Sequence, residues 1–175
     1  MSPTKTNPAV QVAKNGRFDR EKVEVTLATG DRVRIMPVSA SLIDEVTSKI
    51  PEPKIPVWFD KERDIEVPNP DHPEYIKAVD DMNRKRGIAA MDALVMFGVE
   101  FIDGMPEDKS WIKKLKFMEK RKQVDLSEYD LDDPLDQEFL YKRFIAVDTQ
   151  TISLISEVSG ISPDEVAQAE ASFQG

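Results

Sequence analysis

Residues 71–98, DHPEYIKAVDDMNRKRGIAAMDALVMFG, are the stretch that decides the fold. Asp71 is the predicted N-cap, Pro73 lies in the first turn and Gly98 provides a stop, so the segment carries signals for both ends of a helix. Small or apolar residues recur at helical spacing at Tyr75, Val79, Met82, Ala89, Ala93 and Met96. We therefore predict one long central helix of about 40 Å on which the rest of the chain packs.

A second apolar ridge widens the later part of this helix. It consists of Ile76, Ile88, Met91, Leu94, Val95 and Phe97. Arg86 interrupts the stripe, and we expect a bend or a polar contact there. The apolar face is wider than a small hairpin can cover, so C-terminal helices, a second copy of the chain or a bound cargo must bury the remainder.

The segment before the helix predicts a β-hairpin over residues 22–36. Apolar residues alternate with polar ones on both sides of a turn that contains Gly30. A short helix follows, with Ser39 or Ser41 as its N-cap. Residues 1–17 are polar and are predicted to form a flexible arm, which leaves residues 18–175 as a single domain.

A proline-rich connector spans residues 51–73. It carries six of the chain's 12 prolines, and this density excludes a regular helix. Trp58 and Phe59 lie inside it, and residues 64–67 could add a short edge strand. We interpret the connector as an extended segment whose two aromatic side chains dock onto the long helix, because large aromatics favour burial. A proline-rich ligand for another domain is the alternative.

Residues 72–173 are predicted to form a helical body. Residues 99–104 read as a strand-like bridge or a turn, and Ser110 is the predicted N-cap of an amphipathic helix that carries Trp111. Asp133 and Pro134 begin another helix, which breaks or continues near residue 148 and ends at Gly160. Its predicted core face is Leu135, Phe139, Leu140, Tyr141, Phe144 and Ile145. Ser162 and Glu165 form a capping box for a last helix. The fold class is α+β and mainly α-helical.

The composition of the chain excludes several classes of function. The net charge of −9 argues against a nucleic-acid footprint over the whole surface, and the absence of cysteine excludes disulfides and thiolate chemistry. No signal peptide and no apolar run of about 20 residues is present, so we expect a cytoplasmic protein. His72 is the single histidine, and we expect it to be a helix-terminal surface residue. We predict no enzyme activity, no metal and no cofactor.

Two charged segments are candidates for a ligand-binding site, one for calcium and one for nucleic acid. The acidic residues from 125 to 138 invite a calcium loop, but starting at Asp130 the sixth and twelfth positions hold leucine and tyrosine instead of glycine and glutamate. Helix caps and solvated surface explain these carboxylates better. The basic cluster at residues 113–122 is a candidate nucleic-acid contact. A solvated helix face, or pairing with the acidic run that follows, is the simpler interpretation.

Taken in order, four segments resemble the tail assembly chaperones of long-tailed bacteriophages. The segments are VTLATGDRVRIMPVSASLIDEV (25–46), IPEPKIPVWFD (50–60), residues 69–100 and FIAVDTQTISLISEVSGISPDEVAQAEASF (144–173). The likeness is one of layout. It implies a non-catalytic protein in the host cytoplasm that binds the tape-measure protein and helps to recruit the tail-tube protein.

A chaperone for a long amphipathic helix needs an adaptable apolar surface, and methionines suit that task, although they also serve as ordinary core residues. The candidate partner-binding residues are Trp58, Phe59, Met91, Leu94, Val95, Phe97 and Trp111. A homo-oligomer is compatible with this interpretation. The main alternative is a virion structural protein of the tail, neck or capsid, and a nucleic-acid-binding regulator comes after it.

Overall fold

The structure, a computed structural model, describes residues 23–161. Strands β1 (Val23–Thr26), β2 (Arg32–Ile35) and β5 (Val99–Phe101) form an antiparallel sheet in the order β1-β2-β5. The predicted hairpin and the predicted strand-like bridge are therefore confirmed, and they lie side by side. The predicted arm over residues 1–17 and the predicted last helix from Ser162 lie outside the described residues.

Alternation of side chains explains which face of this sheet is buried. Val33 and Ile35 are almost fully buried on the inner face. On the outer face, Arg34 lies between Glu24 on β1 and Glu100 on β5, with N–O distances of 3.1 and 2.9 Å. The period-two pattern thus separates a core face from a charged face.

Five α-helices lie in the described part of the chain. They are α1 (Ala40–Ser48), α2 (Pro73–Gly98), α3 (Ser110–Lys120), α4 (Pro134–Tyr141) and α5 (Thr149–Ser159), with a π-helical turn at Lys142–Ala146 between the last two. Three predicted ends are confirmed: Ser39 caps α1, Asp133 caps α4, and Gly160 closes α5 with a φ of 72°. The fold is α+β with a long central helix.

Two predicted N-caps are wrong. His72, not Asp71, caps α2, and its Nδ1 accepts a hydrogen bond from the backbone N–H of Glu74 at 3.3 Å. Pro73 fixes the first helical φ and favours an extended residue before it, so the cap falls on His72. At α3, Ser110 is already inside the helix, and the Asp108 carboxylate accepts from its backbone N–H at 2.9 Å and its hydroxyl at 2.8 Å.

The central helix has two unlike halves. Every fully buried residue of α2 lies from Gly87 onward, where the π-helical turn and α5 pack against the helix. The earlier half contributes only half-buried side chains such as Val79 and Met82. Helix α1 lies beside the later half, because the backbone just before it bonds to Gly98 and the backbone just after it bonds to Arg86. The C-terminal helices, the first of the three predicted options, therefore share the cover of the later half with α1, and Phe97 stays 56% exposed.

Gly98 allows the close contact between α2 and α5. A Cβ built on Gly98 would overlap the side chain of Ile155, which is fully buried. The glycine was predicted as a helix stop, and α2 does end there. Its second role, close approach of two helices, needs the position of α5 and could not be predicted from the local sequence.

The sequence predictions for the α4 face and for the connector need correction. Leu135 and Phe144 were predicted in the core, but they are 63% and 37% exposed, whereas Leu140 and Tyr141 are buried.

The connector contains a second hairpin, β3 (Val57–Asp60) and β4 (Ile65–Pro68). The predicted docking of Trp58 and Phe59 onto α2 is wrong, because these side chains are 52% and 53% exposed. The predicted short edge strand near residues 64–67 is confirmed as β4.

Candidate protein-binding surface

The β3–β4 hairpin concentrates exposed apolar side chains. Five large apolar residues of the hairpin and its approach are exposed: Ile55, Val57, Trp58, Phe59 and Ile65. We call these five residues the apolar hairpin surface. Large aromatic and aliphatic side chains grouped together in water mark an interaction site more often than scattered ones do.

The strand register places this surface on both faces of the hairpin. Val57 pairs with Pro68 and Phe59 with Glu66, so Val57 and Phe59 lie on one face. Trp58, opposite Val67, shares the other face with Ile65. A two-stranded hairpin is only marginally stable in water on its own, and neither face of this one is buried in the core. A partner that covers either face would therefore stabilise the hairpin while it binds.

Local polar contacts shape the tip of the hairpin. The Asp60 carboxylate accepts hydrogen bonds from the backbone N–H groups of Glu62 and Arg63 at 3.0 and 3.3 Å. Asp64 takes the left-handed backbone conformation with a φ of 51°. Asp favours such turns because its short side chain can bond to nearby backbone groups. The turn is thus specified by its own residues and does not depend on burial.

Arg86 fixes the path of the chain that leads into the hairpin. Its guanidinium donates to the backbone oxygen of Ile50 at 3.1 Å and lies 3.6 Å from the Glu52 carboxylate. The polar contact predicted for Arg86 is therefore confirmed. At the base of the hairpin, the Asn69 N–H donates to the Pro56 oxygen at 2.7 Å. The hairpin is held at its base, while its apolar side chains face solvent.

The predicted partner-binding residues fall into two groups. Met91, Leu94, Val95 and Trp111 are at most 5% exposed and belong to the core, so their side chains are not presented at the surface. The sequence could not separate them from surface residues, because helical periodicity is the same for a core face and for a binding face. Trp111, for example, packs against the ring of Tyr141 with centroids 5.3 Å apart.

Three predicted residues are exposed, but only two of them lie together. Trp58 and Phe59 are adjacent on β3, while Phe97 lies about 36 Å along α2 from the end that joins the hairpin. Sequence reasoning missed Ile55, Val57 and Ile65. For Val57 and Ile65 the signal was a pair of short apolar segments, residues 57–59 and 65–67, separated by a charged turn, which could have indicated a hairpin. Ile55 lies before Pro56 and carried no such signal.

A second, more polar feature lies beside the acidic segment. Arg143 forms an ion pair with Asp92 at 2.9 Å and lies 3.5 Å from the Tyr129 hydroxyl. Burial raises the pKa of Asp92, and the positive charge of Arg143 acts against that rise. An open groove of about 360 Å³ adjoins this cluster. It is lined by Gln123, Val124, Asp125, Glu128, Tyr129, Arg143 and Phe144. The Arg143 charge is already paired with Asp92, so this cluster links α2 to the C-terminal segment and offers no free charge for a ligand.

The basic cluster on α3 lies on the surface. All six of its cations, Lys113, Lys114, Lys116, Lys120, Arg121 and Lys122, are exposed. None of the ion pairs between described residues includes them, so pairing with the acidic run is not observed. The Arg121 guanidinium instead lies 4.9 Å from the centre of the Phe117 ring. The cluster is therefore an exposed face of α3 and its C-terminal end, and a nucleic-acid contact there stays a prediction.

The acidic segment consists of local capping groups. Asp125 accepts hydrogen bonds from the hydroxyl and the backbone N–H of Ser127, and these bonds lower its pKa. Asp133 accepts from the N–H groups of Leu135 and Asp136 at the start of α4. Between residues 23 and 161, no group of three or more His, Asp or Glu side chains is arranged to hold a metal ion. Over the same range, no helix is both long and apolar enough to cross a membrane.

Comparison with protein-family models, with curated proteins and with solved structures finds no match to this chain.

Proposed function

We propose that this chain is a non-catalytic protein-binding factor that holds apolar segments of a client protein on the apolar hairpin surface. One observation carries the proposal: Trp58 and Phe59 are adjacent, about half exposed and located on a hairpin without core packing. Aromatic side chains supply much of the energy at protein interfaces, because they bury a large area at a small entropic cost.

The surrounding charges support a chaperone more than a permanent scaffold. Charged tip residues follow β3 directly, and the whole chain carries a net charge of −9. Net charge of one sign keeps a protein and its bound client dispersed in solution. Apolar contact area flanked by charge suits reversible capture of a hydrophobic segment without aggregation of the complex.

The resemblance to the tail assembly chaperones of long-tailed bacteriophages supplies the client in this proposal. The client is the tape-measure protein, whose long apolar helices need to be kept soluble in the host cytoplasm, and the tail-tube protein is recruited afterwards. The proposed capture mode is contact between an amphipathic helix of the client and one apolar face of the hairpin. No cofactor takes part.

Co-expression tests this proposal. The full chain is expressed together with the longest helical protein encoded beside it, and the soluble fraction of that protein is compared with and without the chain. We expect a clear rise in the soluble fraction and co-purification of the two proteins. An unchanged soluble fraction would contradict the proposal, and abundant copies in purified virions by mass spectrometry would favour a virion structural protein.

A further inference from the structure

The outer edge of strand β3 carries backbone groups without a partner. The Asn69 N–H donates to the Pro56 oxygen, which fixes the hydrogen-bonded positions of the β3–β4 ladder. Antiparallel ladders alternate, so Trp58 and Asp60 direct their backbone groups toward β4. The N–H and C=O groups of Val57 and Phe59 therefore point away from β4. No described residue bonds to them.

The outer edge of β4 is less able to accept a strand. By the same alternation, its outward groups belong to Glu66 and Pro68. Proline has no N–H to donate, so this edge lacks one of its two donors. The β3 edge has both donors and both acceptors, and between its outward residues lies Trp58. Of the two edges of this hairpin, β3 is the one suited to pairing with another strand.

We propose that β3 pairs in antiparallel fashion with β3 of a second copy of this chain and makes a four-stranded sheet across a two-fold axis. In the symmetric register, Val57 of each copy lies opposite Phe59 of the other. The two N–H and two C=O groups that point outward from each strand then all find partners, which gives four hydrogen bonds across the interface. This edge is complementary to itself, as a two-fold interface requires.

The register also brings compatible side chains together. Trp58 lies on the two-fold axis opposite its own counterpart, at a non-hydrogen-bonded position where cross-strand aromatic pairs are favourable. Asp60 faces Pro56 of the second copy, so no like charges confront each other in the paired strands. Just outside the paired strands, Lys54 of one copy and the tip residue Glu62 of the other lie at the same end of the sheet, and their charges are opposite. Charge complementarity thus favours a second copy as the occupant.

Pairing would also enlarge the apolar hairpin surface. One face of the four-stranded sheet carries Val57 and Phe59 from both copies, and the other carries Trp58 and Ile65 from both. Three or more strands with an apolar face are stable where a single hairpin is marginal. The dimer is inferred from the β3 edge alone and does not depend on the identity of a client.

Cysteine cross-linking in the full chain tests the register, because the sequence contains no cysteine. In the proposed register, the Cα atoms of the two copies of residue 58 lie about 4.5 Å apart, within disulfide range. The Cα atoms of the two copies of residue 59 lie about 8–9 Å apart, outside that range. We expect Trp58→Cys to form a covalent dimer under mild oxidation and Phe59→Cys to remain largely uncross-linked. The two side chains are almost equally exposed in the wild type, which makes them a matched pair.

A proline pair tests the edge without relying on oxidation. Phe59→Pro removes an outward N–H from β3, and Glu66→Pro removes the outward N–H from β4, so neither change touches the hairpin's own ladder. We expect the wild type to have twice the monomer mass by light scattering. We expect Phe59→Pro to weaken dimerisation by about tenfold or more, since each dimer loses two hydrogen bonds, and Glu66→Pro to leave it unchanged.

Three results would overturn the proposal. They are a monomeric wild type at all concentrations, equal cross-linking of the two cysteine variants, and equal weakening of the dimer by the two proline variants. These measurements use the chain without any client, so failure of the dimer does not count against client binding. A monomer whose solubilising activity is lost in Phe59→Pro but kept in Phe59→Ala, which removes the ring and keeps the N–H, would assign the β3 edge to the client instead.

Discussion

Replacement of Lys142 by methionine tests how the C-terminal segment is attached to the central helix. Lys142 is 2% exposed, and its ammonium group donates to the backbone oxygen of Met96 at 3.0 Å, in the last turn of α2. The same group lies 2.6 Å from the Glu138 carboxylate. A cation at this position satisfies a free carbonyl group and complements the negative end of the helix dipole.

The expected loss follows from these two contacts. A hydrogen bond from a charged donor contributes about 1.5–3 kcal/mol, and removing one member of a buried ion pair costs about 3–5 kcal/mol. The Glu138 side chain is 31% exposed, so water can solvate its carboxylate after the change. Methionine also fills most of the volume of the lysine stem. We therefore expect Lys142→Met to lower the free energy of unfolding by about 2–3 kcal/mol.

Lys49→Met is the matched control for this substitution. Lys49 and Glu45 have the same four-residue spacing on a helix and an N–O distance of 3.4 Å, but their side chains are 71% and 67% exposed. Urea denaturation of both variants should give a loss below about 0.5 kcal/mol for the control. Equal losses in the two variants, or a Lys142→Met protein as stable as the wild type, would refute the reasoning.

Three further substitutions test separate contacts. Burial and the Asp31 carboxylate raise the pKa of Tyr141 to about 12, whereas the pKa of tyrosine in the unfolded chain is about 10. The contribution of the neutral Tyr141 hydroxyl to stability is therefore complete below pH about 10 and is lost as the pH rises toward 12. Tyr141→Phe should make the alkaline fall in urea-measured stability shallower. Asp148→Ala removes the N-cap of α5 and should cost about 1 kcal/mol at neutral pH in the same assay. The backbone N–H and the hydroxyl of Thr151 donate hydrogen bonds to Asp148 and lower its pKa. The contribution of this cap to stability is therefore present above pH about 4 and lost in acid. Gly98→Ala should destabilise the protein by about 1–2 kcal/mol in thermal unfolding, because overpacking against Ile155 outweighs the gain in helix propensity.

Each of these expectations has its own contrary result. An alkaline stability profile of Tyr141→Phe that matches the wild type would show that its hydroxyl does not act as inferred. A loss in Asp148→Ala that is the same at pH 7 and in acid would contradict the role of the ionised cap. Gly98→Ala would count against close helix contact if it raised the midpoint of thermal unfolding.

Local sequence rules were sufficient for most elements of the fold. The bounds of α2 follow from Pro73 at its start and Gly98 at its end, together with apolar residues at helical spacing. The hairpin over residues 22–36 follows from alternation around Gly30. These features depend on residues that are close in sequence, which is why they could be predicted.

Features that join distant segments could not be predicted in this way. The bond between Lys142 and Met96 spans 46 residues, and the bond between Tyr141 and Asp31 spans 110 residues. The π-helical turn that positions Lys142 has no local signature. For the candidate binding surface, the sequence singled out Trp58 and Phe59 within a proline-rich segment, and both are exposed. Their preference for burial suggested docking onto α2, whereas the chain pairs with itself as a hairpin and leaves both side chains in solvent.

The most direct test of the central claim compares two surface variants in their ability to keep the client soluble. Trp58→Ser combined with Phe59→Ser removes the aromatic part of the apolar hairpin surface, and Phe117→Ser removes an aromatic side chain of similar exposure on α3. Both proteins should fold, as judged by urea denaturation. We predict that the soluble fraction of the co-expressed client falls to the level without the chain for the hairpin variant and stays at the wild-type level for Phe117→Ser. Equal soluble fractions with the two variants would contradict the assignment of client binding to the hairpin.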